Sequence, residues 1–356
     1  MDLNFKKHAL EKAIEVIVLA GGSDEREAKL VAENLVLANL CGHDSHGIGM
    51  MPRYVDALLE GGLVVNRRPE VKVDTGPLLT LDGRSGYGQA IGFDATRMAI
   101  ARAKAYGVSV TALANAHHLG RIGHWAEMAV AEGLISIHFA NVLSFARVAP
   151  FGGADARFGT NPVCIGVPLA GEPPFILDMA TSAVAQGKLR VAHNKGTKIP
   201  FGWLINDKGG QTDDPRWGVV PPLGAMLTFG EHKGYGLALA CELLGGALTG
   251  GGATCYDEKT KRRVLNGMLS ILIDPGKLGT ASAFETEARS HLAWLRESRP
   301  APGVDRVRIA GEPERETREL RSHYGIPVDA ATWEEIREAA AKLKLQPERI
   351  DVLARN

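Results

Sequence analysis

Apolar residues at spacings of three and four mark both ends of the chain, and short apolar runs mark its middle. Residues 5–20 and 24–40 predict two helices. The first stops at Gly21-Gly22, where a left-handed exit costs nothing. The second has Ser23 as N-cap and Asp24 and Glu25 in its first turn, where acids suit the helix dipole. A third helix is expected over residues 51–60, with Pro52 tolerated in the first turn.

Beyond Pro77 the period shortens. "LLTLD" predicts a strand, Gln89 to Tyr106 a helix, and "VSVTALA" a strand. A helix over Gly120 to Glu132 and a strand at "LISIHFA" follow. "VCIGVP", "FILDM", "GWLIN" and "MLSILID" are further short strands, and a long helix is expected from His232 to Leu248. The last 75 or so residues return to charged helical pattern, clearest in "ASAFETEARSHLAWLRES" and "AATWEEIREAAAKL". Helical ends therefore flank a mixed α/β middle. The division this suggests is 1–75 plus 280–356 as one discontinuous helical unit and 76–279 as an α/β unit.

Composition narrows the partners. Lys+Arg and Asp+Glu are both 41, so no net charge argues for nucleic acid or an anionic membrane. The N-terminal segment interleaves charges with apolar residues, unlike a signal peptide. No stretch approaches the ~18 uncharged apolar residues of a membrane span. Cys41, Cys164, Cys241 and Cys255 are scattered without a Cys-x-x-Cys pair. That pattern suits reduced thiols and a cytoplasmic setting.

Six stretches carry candidate chemistry. "GHDSHGIGMMPRY" places His43, Asp44, Ser45 and His46 between glycines. It reads either as a helix cap or as a proton-handling site. "NAHHLGRIGHW" follows a strand and opens a helix, so Gly120 and Arg121 are candidates for an anion or cofactor contact. His117, His118 and His124 lack the i, i+4 spacing of helical metal ligands, and no metal is expected. "DGRSGYGQAIG" resembles a dinucleotide fingerprint, but the next strand ends in Asn115 and not in a ribose-binding acid. Its glycines read as tight turn and packing. "GTNPVCIGVP" and "FILDMATSAVAQGK" bring Thr160, Asp178, Thr181, Ser182 and Lys188 near strand ends, or leave them as caps and solvated charge. "EHKGYGLALA" sets His232 and Lys233 at a helix N-terminus, where a cation opposes the dipole and an anionic ligand would relieve the conflict.

Together, "DSHGI", "NAHHLGRIG", "PFGG", "GTNP", "DMATS", "GK" and "HKGYGLAL" resemble, in order and spacing, the type-2 malate/L-lactate dehydrogenase family. The resemblance spans nearly the whole chain. It implies an NAD- or NADP-dependent oxidoreductase of 2-hydroxy/2-keto acids with an α/β fold. The cofactor domain would be a non-Rossmann mixed sheet with helices, beside a helical substrate-side domain built from both chain ends. It also implies a homodimer with interfacial active sites. By motif, His46 with Ser45 is implied as the proton donor/acceptor, and His118 as the competing acid/base or cofactor contact. Ser144, Asp178, Met179, Ala180 and Lys233 match cofactor positions, as do Gly311, Glu312 and Pro313, although Ala310 stands where relatives have proline.

Many relatives carry an arginine just after "SHG". Here that place holds Gly49, Met50 and Met51, and Arg53 is the nearest guanidinium. The carboxylate clamp is therefore expected from Arg53 or Arg121, with Thr160 and Lys188 nearby. Lysine at 188 favours a hydroxy acid over a cyclic imino acid, whose reductase is the alternative reading. Two other classes remain: a metal-dependent hydrolase using His117, His118, His124 and Asp178, and a non-catalytic nucleotide sensor.

Overall fold

The computed structural model describes residues 2–254 and 263–355, so Cys255 lies outside the described residues. In chain order the first third contains β1 (Asp2–Phe5), α1 (Lys7–Ala20), α2 (Glu25–Leu40), α3 (Met51–Leu59), β2 (Glu70–Asp74), β3 (Leu78–Asp82) and α4 (Gly88–Tyr106). The middle adds β4 (Val108–His117), α5 (Gly123–Ala131), β5 (Ile135–Leu143), β6 (Val163–Val167), β7 (Phe175–Met179) and α6 (Gln186–Asn194). Three two-residue strands follow, β8 (Leu204–Ile205), β9 (Gln211–Thr212) and β10 (Ala225–Met226), then α7 (His232–Ala240). The last third holds β11 (Leu265–Ile273), α8 (Ala281–Arg296), α9 (Glu312–Tyr324), β12 (Ile326–Asp329), α10 (Ala330–Lys342) and α11 (Pro347–Arg355).

One core joins the two chain ends. On α1, Leu10, Ala13, Ile14, Ile17 and Val18 form a helical stripe that packs with Val31, Leu35 and Val36 of α2 and Ile336, Ala340 and Ile350 of the C-terminal helices. Phe5, expected to start the first helix, instead ends a strand over residues 2–5. They pair antiparallel with β12, Phe5 opposite Ile326. The partner lies more than 300 positions away, so no local pattern could announce it. Asp24, not Ser23, caps α2: its carboxylate accepts from the Glu27 amide at 2.7 Å. Ser23 instead donates to the buried Glu27 carboxylate at 2.6 Å.

The second core is built on a seven-stranded mixed sheet ordered β2-β3-β4-β11-β5-β6-β7. Of its pairings only β3 with β4 is parallel, and α4 makes that crossover. Ile91 and Ala95 of α4 pack with Ile122, Trp125 and Ala126 at α5 against the sheet residues Leu81, Leu113 and Met268. The Gly86 to Gly92 run serves turn and packing: a Cβ on Gly92 would meet the Trp125 ring, and one on Gly88 would overlap the His117 and His118 carbonyl oxygens.

The long apolar helix after His232 is α only to Ala240, and Cys241–Ala247 continue as a π-helix. There Glu242 is 4% exposed. It accepts from the Asn161 side chain at 2.8 Å and from the amide and hydroxyl of Thr254 at 2.7 and 2.9 Å. Four donors, counting Asn141 at 3.4 Å, compensate a carboxylate that burial alone would not tolerate. A third, smaller core sits under β8 and β10, with Leu189 of α6 and Ala238 of α7.

Candidate active site

The opening motif is a strapped turn. After α2 the chain makes a 3-10 turn at Asp44–His46 and a second at Ile48–Met50 that leads into α3. Asn39, still on α2, holds both: its oxygen accepts the Ile48 amide at 2.8 Å and its nitrogen donates to Asp44 at 2.7 Å. A Cβ at Gly47 would overlap that side chain, which is why glycine follows the histidine. Asp44 does not cap a helix. It receives a two-pronged bond from Arg321 of α9, at 2.7 and 3.0 Å. His43 meets Glu314 of the same helix at 3.3 Å.

This scaffold presents two imidazoles to one another. The ring of His46 stacks on that of His118, centroids 5.6 Å apart and planes 21° from parallel. His118 arrives from the end of β4, one residue past the strand. Ser45 Oγ lies 3.0 Å from His46 Nδ1. On the other side, Tyr54 Oη lies 2.7 Å from His118 Nδ1, and Gln89 Nε2 donates to Tyr54 Oη at 2.9 Å. Tyr54 is fully buried, with its ring edge-on to Tyr87 and His117.

Burial keeps these imidazoles neutral. Loss of solvation, helped by the His43 and Arg121 charges, pushes His46 down to about 4. His117 falls to about 3, from burial first and then Arg53 and Arg263. His118 is held well below the usual histidine value by burial, His46, His117 and Arg53. Neutral imidazole is the form that accepts a proton.

The remaining residues divide. Arg53, on α3 beside Tyr54, is exposed and has no carboxylate partner among the described residues. Its charge reaches His117, His118 and the half-buried Arg147. The first turn of α6, which carries exposed Lys188, lies beside Ser45: a Cβ on Gly187 would be 3.3 Å from Ser45 Cβ. Arg121 is held inside the protein. It is 3% exposed and paired with Glu127 at 2.6 Å. Asp178 turns its carboxylate onto the Gly123 amide at 2.8 Å, capping α5, and lies close enough to Arg121 to feel its charge.

Several residues expected at the ligand are occupied within the protein. Thr181 donates to the carbonyls of Thr160 and Asn161 at 3.1 and 3.0 Å, and Ser182 to that of Val184 at 2.9 Å. Glu312 pairs with Arg296 at 3.2 Å and accepts the Ile309 amide at 3.1 Å. Gly311, with φ of 93°, and Pro313 open α9, whose preceding carbonyl at Ala310 bonds Ile176 of β7. Met179 ends β7, Ala180 follows it, Ser144 follows β5, and Gly120 lies in the turn before α5. His232 and Lys233 open α7. Both are exposed, and Glu231 before them gives no side-chain cap. The amides of Lys233, Gly234 and Tyr235 already donate to the Gly230, Phe229 and Glu231 carbonyls, so the exposed side chains of His232 and Lys233 are what this helix start offers an anion.

His117, His118, His124 and Asp178 do not assemble as metal ligands. Among the described residues no three His, Cys, Asp or Glu side chains are grouped to hold an ion. Sequence reasoning missed Tyr54, Gln89, Asn39 and Arg147. Tyr54 stood inside the quoted opening stretch, next to Arg53, but only the fold brings it to His118.

Comparison with known proteins agrees in one direction. The sequence profile described as malate/L-lactate dehydrogenase matches residues 5–337. Hydroxycarboxylate dehydrogenase B of Escherichia coli K12 is 42% identical over 348 residues, covering 97% of this chain and 96% of the relative. A solved E. coli structure described as a malate/lactate dehydrogenase superposes with a TM-score of 0.95 at 41% identity, covering 99% and 98% of the two chains. Delta1-piperideine-2-carboxylate reductase from Pseudomonas syringae is more distant, at 29% identity and a TM-score of 0.83, covering 95% and 99%.

Proposed function

The chain belongs to the malate/L-lactate dehydrogenase family, and from that premise we propose how this 2-hydroxy-acid oxidoreductase works. The observation that carries the reading is the stacked His46–His118 pair, held neutral and tethered by Ser45 and Tyr54. In oxidation, one imidazole takes the hydroxyl proton as the C2 carbonyl forms, and in reduction it returns it. A bound nicotinamide, of NAD or NADP, supplies or accepts the hydride at its C4. Tyr54 gives His118 a fixed orientation, so His118 is the principal acid/base, and His46 with Ser45 orients the substrate oxygen.

Arg53 is the carboxylate clamp, because it is exposed, has no carboxylate partner among the described residues and its charge reaches His118, whereas Arg121 is buried beside Glu127. Thr160 and Lys188 complete the substrate side. Lys233 and His232 at the start of α7 would hold the phosphate groups of the cofactor. Ser144, Met179, Ala180 and Gly120 line the adjacent backbone. Asp178, Thr181, Ser182 and Gly311-Glu312-Pro313 act behind that wall, as their internal hydrogen bonds support.

The non-Rossmann cofactor unit over 76–279 is supported by the single parallel pairing, β3 with β4, in the sheet, whose edge strand β2 lies just before this range. The helical unit of 1–75 with 280–356 is supported by the core that joins the chain ends. A homodimer is supported by Leu239, Leu243 and Leu248, which are 38%, 54% and 62% exposed along one helical run.

The test is oxidation of NADH and of NADPH against a panel of 2-keto acids, with a cyclic imine included. Turnover of keto acids well above the imine is expected. Turnover of the imine alone would overturn the hydroxy-acid reading.

A further inference from the structure

Tyr54 and Gln89 have a specific chemical relation to His118. The three side chains form a line from Gln89 through the Tyr54 hydroxyl to His118 Nδ1, at 2.9 and 2.7 Å. Gln89 and Tyr54 are almost wholly enclosed, at 1% and 0% exposure. A tyrosine hydroxyl has one hydrogen, so the line has a direction. With the amide nitrogen of Gln89 on Tyr54 Oη, the hydroxyl hydrogen points to His118 Nδ1, and the imidazole proton sits on Nε2.

In that orientation the Gln89 oxygen is buried without a partner, a state that costs free energy. An amide turned end for end would let this oxygen accept the Tyr54 hydroxyl. Tyr54 Oη would then accept from Nδ1–H, leaving Nε2 bare. Those are the two neutral forms of His118. Only the second can take a proton from a hydroxyl on Nε2, becoming an imidazolium with both nitrogens protonated. In the reverse direction that imidazolium gives its Nε2 proton to the carbonyl oxygen and returns to the Nδ1–H form. Throughout this exchange Nδ1–H stays on Tyr54.

Resting on the reading of His118 as acid/base, we propose that Tyr54 is its positioning residue and that Gln89 sets the direction of the hydrogen-bond line, and with it which imidazole nitrogen carries the proton. The charged and titratable groups that face His118 are His46 on the strapped turn, His117 on β4 and Arg53 on α3. Each disfavours its protonation, so an acceptor beyond Tyr54 is the lever left to favour it.

The experiment is a set of pH profiles of kcat and kcat/KM for 2-hydroxy-acid oxidation. Tyr54→Phe keeps the ring that packs on Tyr87 and His117. It is expected to lower kcat ~10–100-fold with the cofactor KM within about twofold, as loss of a positioned acid/base group requires. Gln89→Glu leaves only an acceptor at the far end of the line. Its acidic limb is expected to move up by about one pH unit or more, and the Tyr54→Phe/Gln89→Glu double variant to lose most of that shift.

A Gln89→Glu shift that persists undiminished in the double variant overturns the proposal. So does a Tyr54→Phe enzyme with wild-type kcat. His118→Gln separates the two layers: if it is inactive while Tyr54→Phe is normal, the proposal fails and the acid/base reading stands. If His118→Gln turns over like wild type, the reading itself fails. Should Gln89→Glu fail to fold, Gln89→Leu takes its place. It removes the direction-setting group and is expected to lower kcat in both reaction directions, whereas unchanged kcat in both directions overturns the proposal.

Discussion

At the scale of single residues, the proposed site rests on two histidines that burial keeps neutral near pH 7, the form that accepts a proton. Their proposed roles differ because their tethers differ. His118 is fixed from behind by a buried phenol, while His46 is fixed by a neighbouring exposed serine. His118→Ala is expected to lower kcat by ~100-fold or more, and His46→Ala by a smaller factor, with NADH binding nearly intact in both. Steady-state kinetics alongside fluorescence titration of NADH would check this. A larger loss in the His46 variant would reverse the assignment. Arg121 teaches the complementary point: a guanidinium after a strand end looks like an anion clamp, but Glu127 and Asp178 answer its charge inside the protein.

At the scale of elements, the geometry of the proposed site is set by junctions. The turn that carries Ser45 and His46 is tied to α2 through Asn39 and to α9 through Arg321. The His117-His118 pair leaves β4 against the first residue of α4, where Gly88 allows backbone contact that no side chain would permit. Gly88→Ala is therefore expected to push the His118 backbone away from Tyr54. The cost would be about 1–3 kcal/mol of stability, as for other forced overpacking, with a fall in kcat of ~10-fold or more. Urea unfolding and steady-state kinetics measure the two effects. Wild-type values for both would show that the junction yields without consequence.

At the scale of the whole molecule, buried imidazoles make the fold acid-sensitive. His46, His124 and His138 are held near 4 and His117 near 3 by burial, against an unfolded value of about 6.5. In this window the unfolded chain binds protons that the folded chain refuses. The stability these groups contribute is thus fully present above about pH 6.5 and is lost as pH falls towards 3–4. Asp178 and Glu27, whose burial raises them, act in the opposite sense and offset part of the loss at the acidic end. The expected outcome is a level Tm from pH 7 to 8 and a Tm that falls progressively below about pH 6.5. Calorimetry across that range reads it. A Tm unchanged down to pH 4.5 would show that these histidines are protonated in the folded state.

The sequence by itself determined the helices whose stripes repeat every three or four residues, the sheet strands written as short apolar runs, and the motifs that name the family. Those signals are local, and a window of a dozen residues contains them. It could not determine that residues 2–5 form a strand, because their partner is β12. It could not foresee that Asp178 caps α5, that Asp44 answers Arg321, or that Arg121 is already neutralised. Each of these is a pairing between charges or backbone groups far apart in the chain, decided by which surfaces the packed core brings together. Tyr54 is the sharpest instance: a buried aromatic at helical spacing reads as core, and only the approach of β4 to α3 turns its hydroxyl into the support of His118.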